Sequence, residues 1–216
     1  MTQVQEQVKF IFLDAGGVLF DTPIKGEGRI RNLLMGRGYQ LSAIDAAITK
    51  AKHHTKASFI TNWNEEEIYY KSLYGGIARE VGDERLTNEL LYLTHYAVHC
   101  ELFPEVIDLL EELSKNYKLA VISNAMPSMD WVFDKLGIRQ YFHTIILSAF
   151  VKEVKPNKAI YEIALEQAKA RKEESIFIDD KLENIEGAER VGIRGLYLDR
   201  GKKNLNDLMH EEQLLK

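Results

Sequence analysis

The chain has a single cysteine, Cys100, among its 216 residues. No internal disulfide can form, and that economy suits a reducing compartment. No run of about 18 apolar residues occurs, so no membrane-spanning helix is expected. Residues 1–7 are polar and contain no stretch suited to a signal peptide, which makes the cytoplasm the expected address. Basic excess is also missing: 28 Lys and Arg stand against 33 Asp and Glu, for a net charge of −5. Nucleic-acid binding usually rests on a basic patch, so that class of partner is not expected. Repeats, low-complexity tracts and long linkers are absent. What remains, 45% hydrophobic and 28% charged residues, is the composition of a soluble globular protein. The length fits one large domain, or a core with a modest insertion. Nothing in it distinguishes a monomer from a dimer.

The most telling segment is Phe10-Ile11-Phe12-Leu13-Asp14-Ala15-Gly16-Gly17-Val18-Leu19-Phe20-Asp21. An apolar run ends on a carboxylate and two glycines follow. Ligands of open parallel sheets sit off the carboxyl ends of strands, so Asp14 falls where chemistry is usually done. Taken alone the segment is also an ordinary strand ending in an Asp-x-Gly turn. Three further segments end in polar groups in the same way. Leu119-Ala120-Val121-Ile122 runs into Ser123-Asn124; the strand pattern 143–148 is followed by Val154-Lys155-Pro156; Ser175-Ile176-Phe177-Ile178 runs into Asp179-Asp180, with Asn184 soon after.

From residue 105 onward helix and strand patterns alternate, the mark of βαβ units and a parallel sheet. Helices are expected at 105–115, 128–136, 157–170 and 182–191, and strands at 117–122, 143–148, 175–179 and 194–198. Strand 8–13 completes a core of about five. Residues 22–100 break the alternation, with amphipathic helical patterns at roughly 27–37, 42–57, 64–81 and 84–99. The tail 204–216 reads as a terminal helix packed on the core. The expected fold is therefore α/β, a Rossmann-like parallel sheet core with an inserted all-helical domain. The core would comprise 1–21 and 100–216, and the insertion 22–99.

Asp, Ser-Asn, Lys-Pro and Asp-Asp, in that order at strand ends and a helix start, resemble the four motifs of the haloacid dehalogenase-like superfamily. The resemblance covers roughly 1–21 and 100–200. It implies a Mg2+-dependent phosphatase acting on a small phosphorylated metabolite, with 22–99 as a helical (C1-type) cap. Asp14 would be the nucleophile, forming an aspartyl-phosphate. Mg2+ would be held by Asp14, the backbone carbonyl of Gly16, and Asp180, an all-oxygen set that suits this ion. Asp179 and Asn184 would stand behind, orienting Asp180. Ser123 and the Asn124 backbone N–H would bind phosphoryl oxygens, and Lys155 would neutralise charge on Asp14 and the phosphate. Pro156 is expected to start a helix that anchors the Lys155 backbone. Without Asp14, the Asp179-Asp180 pair would read as a helix N-cap with a dipole-favoured neighbour.

Two features stand outside this pattern. His53 and His54 invite a metal reading, but adjacent residues face different sides of a helix and no zinc-like spacing accompanies them. Trp63, Tyr69, Tyr70 and Tyr74 could line a pocket, although an aromatic stripe is more often core. One departure matters more. Phosphatases of the superfamily usually carry a second Asp two residues after the nucleophile, as general acid and base; here that position is Gly16. Such catalysis contributes about 10²–10⁴-fold. A slower or leaving-group-selective phosphatase, a 2-haloacid dehalogenase, and a weakly active protein that binds a phosphorylated ligand therefore all stay open. Glu27, His53 and His54 are the candidates for a substitute proton donor.

Overall fold

A computed structural model describes residues 7–55 and 59–215. The expected leader-free start at 1–7 and the end of the expected helix 42–57 thus lie largely outside the described residues. The chain divides into two compact units, one of Met1–Asp21, Leu102–Ala125 and Phe133–Lys216, the other of Thr22–Glu101 with Met126–Val132. The segment after Ser123-Asn124 therefore belongs with the inserted residues, a grouping that sequence distance hides.

Strand β1 (Phe10–Leu13) is buried at all four positions. After it the chain enters the helical unit: α1 (Glu27–Gly36), α2 (Leu41–His54), α3 (Trp63–Glu80), α4 (Leu86–Thr94) and α5 (Tyr96–His99). Helices α1 to α4 close on one apolar cluster that includes Leu34, Ile44, Ile48, Ile77 and Leu90. Asn62 caps α3, its side chain accepting from Glu65 N at 3.0 Å, which satisfies a donor the helix start leaves open. The helix expected over 84–99 is interrupted. His95 adopts extended geometry (φ −61°, ψ 129°), and its ring accepts from Ala97 N. A side chain that offers the backbone a local partner competes with the helical ladder, so one amphipathic pattern becomes two helices.

The other unit resumes with α6 (Val106–Ser114), which buries Val106, Leu109, Leu110 and Leu113 at helical spacing. There follow β2 (Lys118–Ser123), α7 (Met129–Lys135), β3 (Phe142–Leu147), the single turn α8 (Ser148–Val151), α9 (Lys158–Ala168), β4 (Ser175–Asp179), α10 (Leu182–Arg190), β5 (Arg194–Tyr197) and α11 (Leu205–Glu211). The five strands form one sheet in the order β3-β2-β1-β4-β5, and every pairing is parallel. A sheet covered by helices on both faces buries both sides of its strands, which is why β1, β2 and β4 read as near-continuous apolar runs. β1 pairs Leu13 with Val121 on one side and Ile178 on the other. That register brings the residues after Leu13, Ile122 and Ile178 to one edge. A capping box between Asn204 and Asp207 starts α11. Among the described residues no helix is long and apolar enough to cross a membrane.

Candidate active site

Three strands deliver their carboxyl ends to one place. Asp14 follows β1, Ser123 ends β2 and Asp179 ends β4. Asp14 N donates to Ile178 O at 2.9 Å, which continues the ladder by one residue and fixes where its side chain leaves the sheet. Each of Asp14, Asp179 and Asp180 offers a carboxylate oxygen within 4.8 Å of the others. Lys155 is buried among them. Its Nζ donates to Asp179 Oδ2 at 2.6 Å and to Ile122 O at 2.8 Å, and stands 2.8 Å from Asp14 Oδ1. All three N–H groups are thus engaged, so the ammonium locks two carboxylates to the end of β2. A buried cation between buried anions offsets the cost of taking each from water.

Asp179 is fully buried and satisfied from several sides: Asn184 Nδ2 donates to both of its oxygens at 3.0 Å, and Lys181 N to Oδ1 at 2.8 Å. Burial pushes its carboxyl up, Lys155 opposes this, and Asp14 adds to the rise. Asp180 differs. Its Oδ1 is buried with no hydrogen-bond partner among the described residues. Burial, then repulsion from Asp14 and Asp179, pushes its carboxyl up. An orphaned buried carboxylate oxygen facing two more carboxylates is an arrangement that a hard divalent cation would complete, and the all-oxygen donor set fits Mg2+.

The expectation for Lys155 needs correction. Pro156 does not begin α9; that helix starts at Lys158 behind Asn157. The Lys155 backbone is held instead by Asn124, whose Oδ1 accepts from Lys155 N at 2.7 Å and whose Nδ2 donates to Lys155 O at 2.8 Å. Two antiparallel amide bonds imitate a rung of sheet and join the second motif to the third. Ser123 is buried at the end of β2. Ser148 braces the turn after it, accepting from Ala125 N at 2.9 Å and donating to Ala125 O at 3.2 Å.

The two glycines after Asp14 are not equivalent. Gly17 has φ +86°, and a Cβ there would stand 2.3 Å from Asp180 Oδ2. Only glycine allows both the left-handed turn and that approach. At Gly16 φ lies outside the left-handed range and a Cβ would meet nothing within 4 Å. Neither strain nor crowding requires a glycine there.

Arg200 was not foreseen. Its guanidinium lies 3.7 Å over the Phe103 ring and donates to Gly17 O, Val18 O and Glu105 Oε1. It therefore clasps the loop after Asp14 from 182 residues away. No local pattern singles out one arginine for this role. Burial pushes the Glu105 carboxyl up, but backbone hydrogen bonds and Arg200 outweigh it and hold the group below its usual range.

Within the helical unit, His53 and His54 are exposed, and neither belongs to a cluster of metal-ligating side chains among the described residues. Glu27 is hydrogen-bonded to Lys52 and Arg31, and these cations, Lys52 above all, hold its carboxyl low against the opposing effect of burial. It is poorly suited to donate a proton. Tyr74 is core, whereas Trp63 and Tyr70 line a cavity.

Residues 52–197 match the family model described as haloacid dehalogenase-like hydrolase. Glyceraldehyde 3-phosphate phosphatase of Methanopyrus kandleri is 30% identical over 49% of this chain and 49% of its own length. The chain thus spans only about half of that relative. The enzyme of the same name from Methanothermobacter thermautotrophicus is 28% identical over 89% of this chain and 86% of its own. (S)-2-haloacid dehalogenase of a Pseudomonas species is 25% identical over 90% and 84%. Among solved structures, the magnesium-bound putative hydrolase YfnB of Bacillus subtilis superposes with a TM-score of 0.66 at 16% identity, covering 96% of this chain and all of that one.

Proposed function

The chain belongs to the haloacid dehalogenase-like hydrolases, and from that premise we propose that it is a Mg2+-dependent phosphatase of a small phosphorylated metabolite, working through an aspartyl-phosphate. The carrying observation is the carboxylate triad Asp14, Asp179 and Asp180 with its partnerless Asp180 oxygen. Asp14 is the nucleophile. Lys155 holds Asp14 Oδ1 and so fixes the rotation of the carboxylate, leaving the second oxygen to attack in line. Asp14, Asp180 and the Gly16 carbonyl would hold Mg2+, which when bound supplies the charge compensation that lets an anionic nucleophile meet a phosphate. Asp179 is a positioning residue: with Asn184 it sets Lys155, whose charge helps balance the transferring group. The Ser123 hydroxyl and the Asn124 N–H would donate to phosphoryl oxygens. Placing the substrate among glyceraldehyde 3-phosphate-like metabolites draws on the curated relatives alone.

A second reading, 2-haloacid dehalogenase, is favoured by Gly16, which leaves no acid two residues after the nucleophile, and by the Pseudomonas relative. Against it stands the acidic pair at the end of β4, which carbon-centred chemistry without a metal does not need. The deciding experiment assays purified protein on p-nitrophenyl phosphate, glyceraldehyde 3-phosphate and 2-chloropropionate, each with Mg2+ and with EDTA. Phosphate release that needs Mg2+ and vanishes in Asp14→Asn supports the proposal. Chloride release that persists in EDTA would replace it.

A further inference from the structure

The helical unit contains a cavity of about 380 Å³ lined by α3, α4, α5 and the start of α7. This is a size that takes small organic ligands. Four aromatic side chains line it, Trp63, Tyr70, Tyr92 and Trp131. Three of them are open to solvent: Trp63 is 50%, Tyr92 71% and Trp131 44% exposed. Beneath them sits Glu66, only 3% exposed. Its carboxylate accepts from Ser128 N at 2.7 Å and from Ser128 Oγ at 2.5 Å. These neutral donors satisfy its lone pairs but not its charge. His95 stands close by, its Nε2 3.5 Å from Oε1. The other lining carboxylate, Glu67, is already paired with Lys71 at 2.6 Å. Neither lysine nor arginine lines the cavity among the described residues.

We propose that this cavity binds a small organic cation, an ammonium group carrying apolar substituents, between the aromatic rings and above Glu66. Each part of the site favours such a ligand. Aromatic faces attract cations through their quadrupoles, most strongly where water is excluded. The buried carboxylate gains the full counter-charge that its serine partners cannot supply. The apolar lining suits alkyl substituents and disfavours a fully hydrated metal ion. The site uses none of the residues assigned to phosphoryl transfer, so its test is independent of that chemistry.

The protein has two tryptophans, and both line the cavity, so intrinsic tryptophan fluorescence reports on it directly. Choline chloride is titrated into the whole protein at constant ionic strength, beside 3,3-dimethylbutan-1-ol, which replaces the charged nitrogen of choline by carbon. Saturable quenching by choline, with the neutral alcohol at least tenfold weaker, is expected. Glu66→Gln should weaken choline at least tenfold; Trp131→Leu, at an exposed position where misfolding is not a concern, should do so too, read through Trp63. Equal binding of the alcohol and choline would overturn the proposal. So would the absence of saturation by choline, or undiminished choline binding in Trp131→Leu.

Discussion

Replacing Gly17 by alanine tests whether the loop after Asp14 is shaped around the Asp180 carboxylate. The backbone there has φ +86°, which costs an L-residue about 1–2 kcal/mol. The new Cβ would lie 2.3 Å from Asp180 Oδ2 and 2.7 Å from its Cγ, more than an ångström inside ordinary contact. The carboxylate must therefore swing away or the loop must retreat, and Arg200 on the carbonyls of Gly17 and Val18 resists the second course. Misplacing a positioned catalytic group by about 1 Å costs roughly 10²-fold in rate. Gly17→Ala should thus lower kcat/KM on p-nitrophenyl phosphate about 100-fold and raise the Mg2+ concentration needed for half-maximal rate. The backbone strain should lower Tm by about 2–8 °C, at about 2–4 °C per kcal/mol for a chain of this size. Gly16→Ala is the matched control: its Cβ meets nothing within 4 Å, and activity should change less than about threefold, a difference worth under 1 kcal/mol. Steady-state rates across a Mg2+ titration and thermal melts of the three proteins decide the matter. A Gly17→Ala protein with unchanged rate and unchanged Mg2+ requirement would refute the reasoning.

Other outcomes follow from the same geometry. Because Gly16 has room for a side chain, Gly16→Asp should raise turnover on alkyl phosphates by about 10–100-fold, within the usual reach of general acid catalysis. It should also flatten the dependence on leaving-group acidity; a dependence already shallow in the unaltered protein would show that another group donates the proton. Lys155→Met leaves Asp14 and Asp179 buried without their shared cation and should cost about 3–5 kcal/mol in urea denaturation; a loss below about 1 kcal/mol would contradict the account of the pair. The Asp180 carboxyl is raised by burial and by its acidic neighbours. In metal-free protein its favourable contribution is therefore full below the unfolded value near 3.8 and is lost as pH climbs through the raised folded value. Mg2+ relieves the same repulsion, so its stabilising shift in Tm should be larger at pH 7.5 than at pH 5 and should shrink in Asp180→Asn; an increment independent of pH would argue against Asp180 as a ligand.

The order of elements and the polar groups at the strand ends were legible in the sequence because both are local. Apolar runs such as 10–13 and 176–178 mark strands buried on two faces, helical spacing such as Val106, Leu109, Leu110 and Leu113 marks the helices between them, and a parallel sheet brings its carboxyl ends to one edge. Asp14, Ser123, Lys155 and Asp179-Asp180 could be picked out for that reason. Partnership between distant residues has no such signature. The helix after Lys155 begins later than Pro156 suggested, and it is the Asn124 side chain, 31 residues away, that holds the lysine backbone. The turn at His95 arises from one ring nitrogen meeting one N–H, which periodicity cannot register. Arg200 on the loop after Asp14, the crowding of Gly17 by Asp180, and the seating of Ser128 on Glu66 each join segments whose separation in sequence carries no pattern. Periodicity specifies which face of an element is buried; which atoms meet there was decided only when the faces packed.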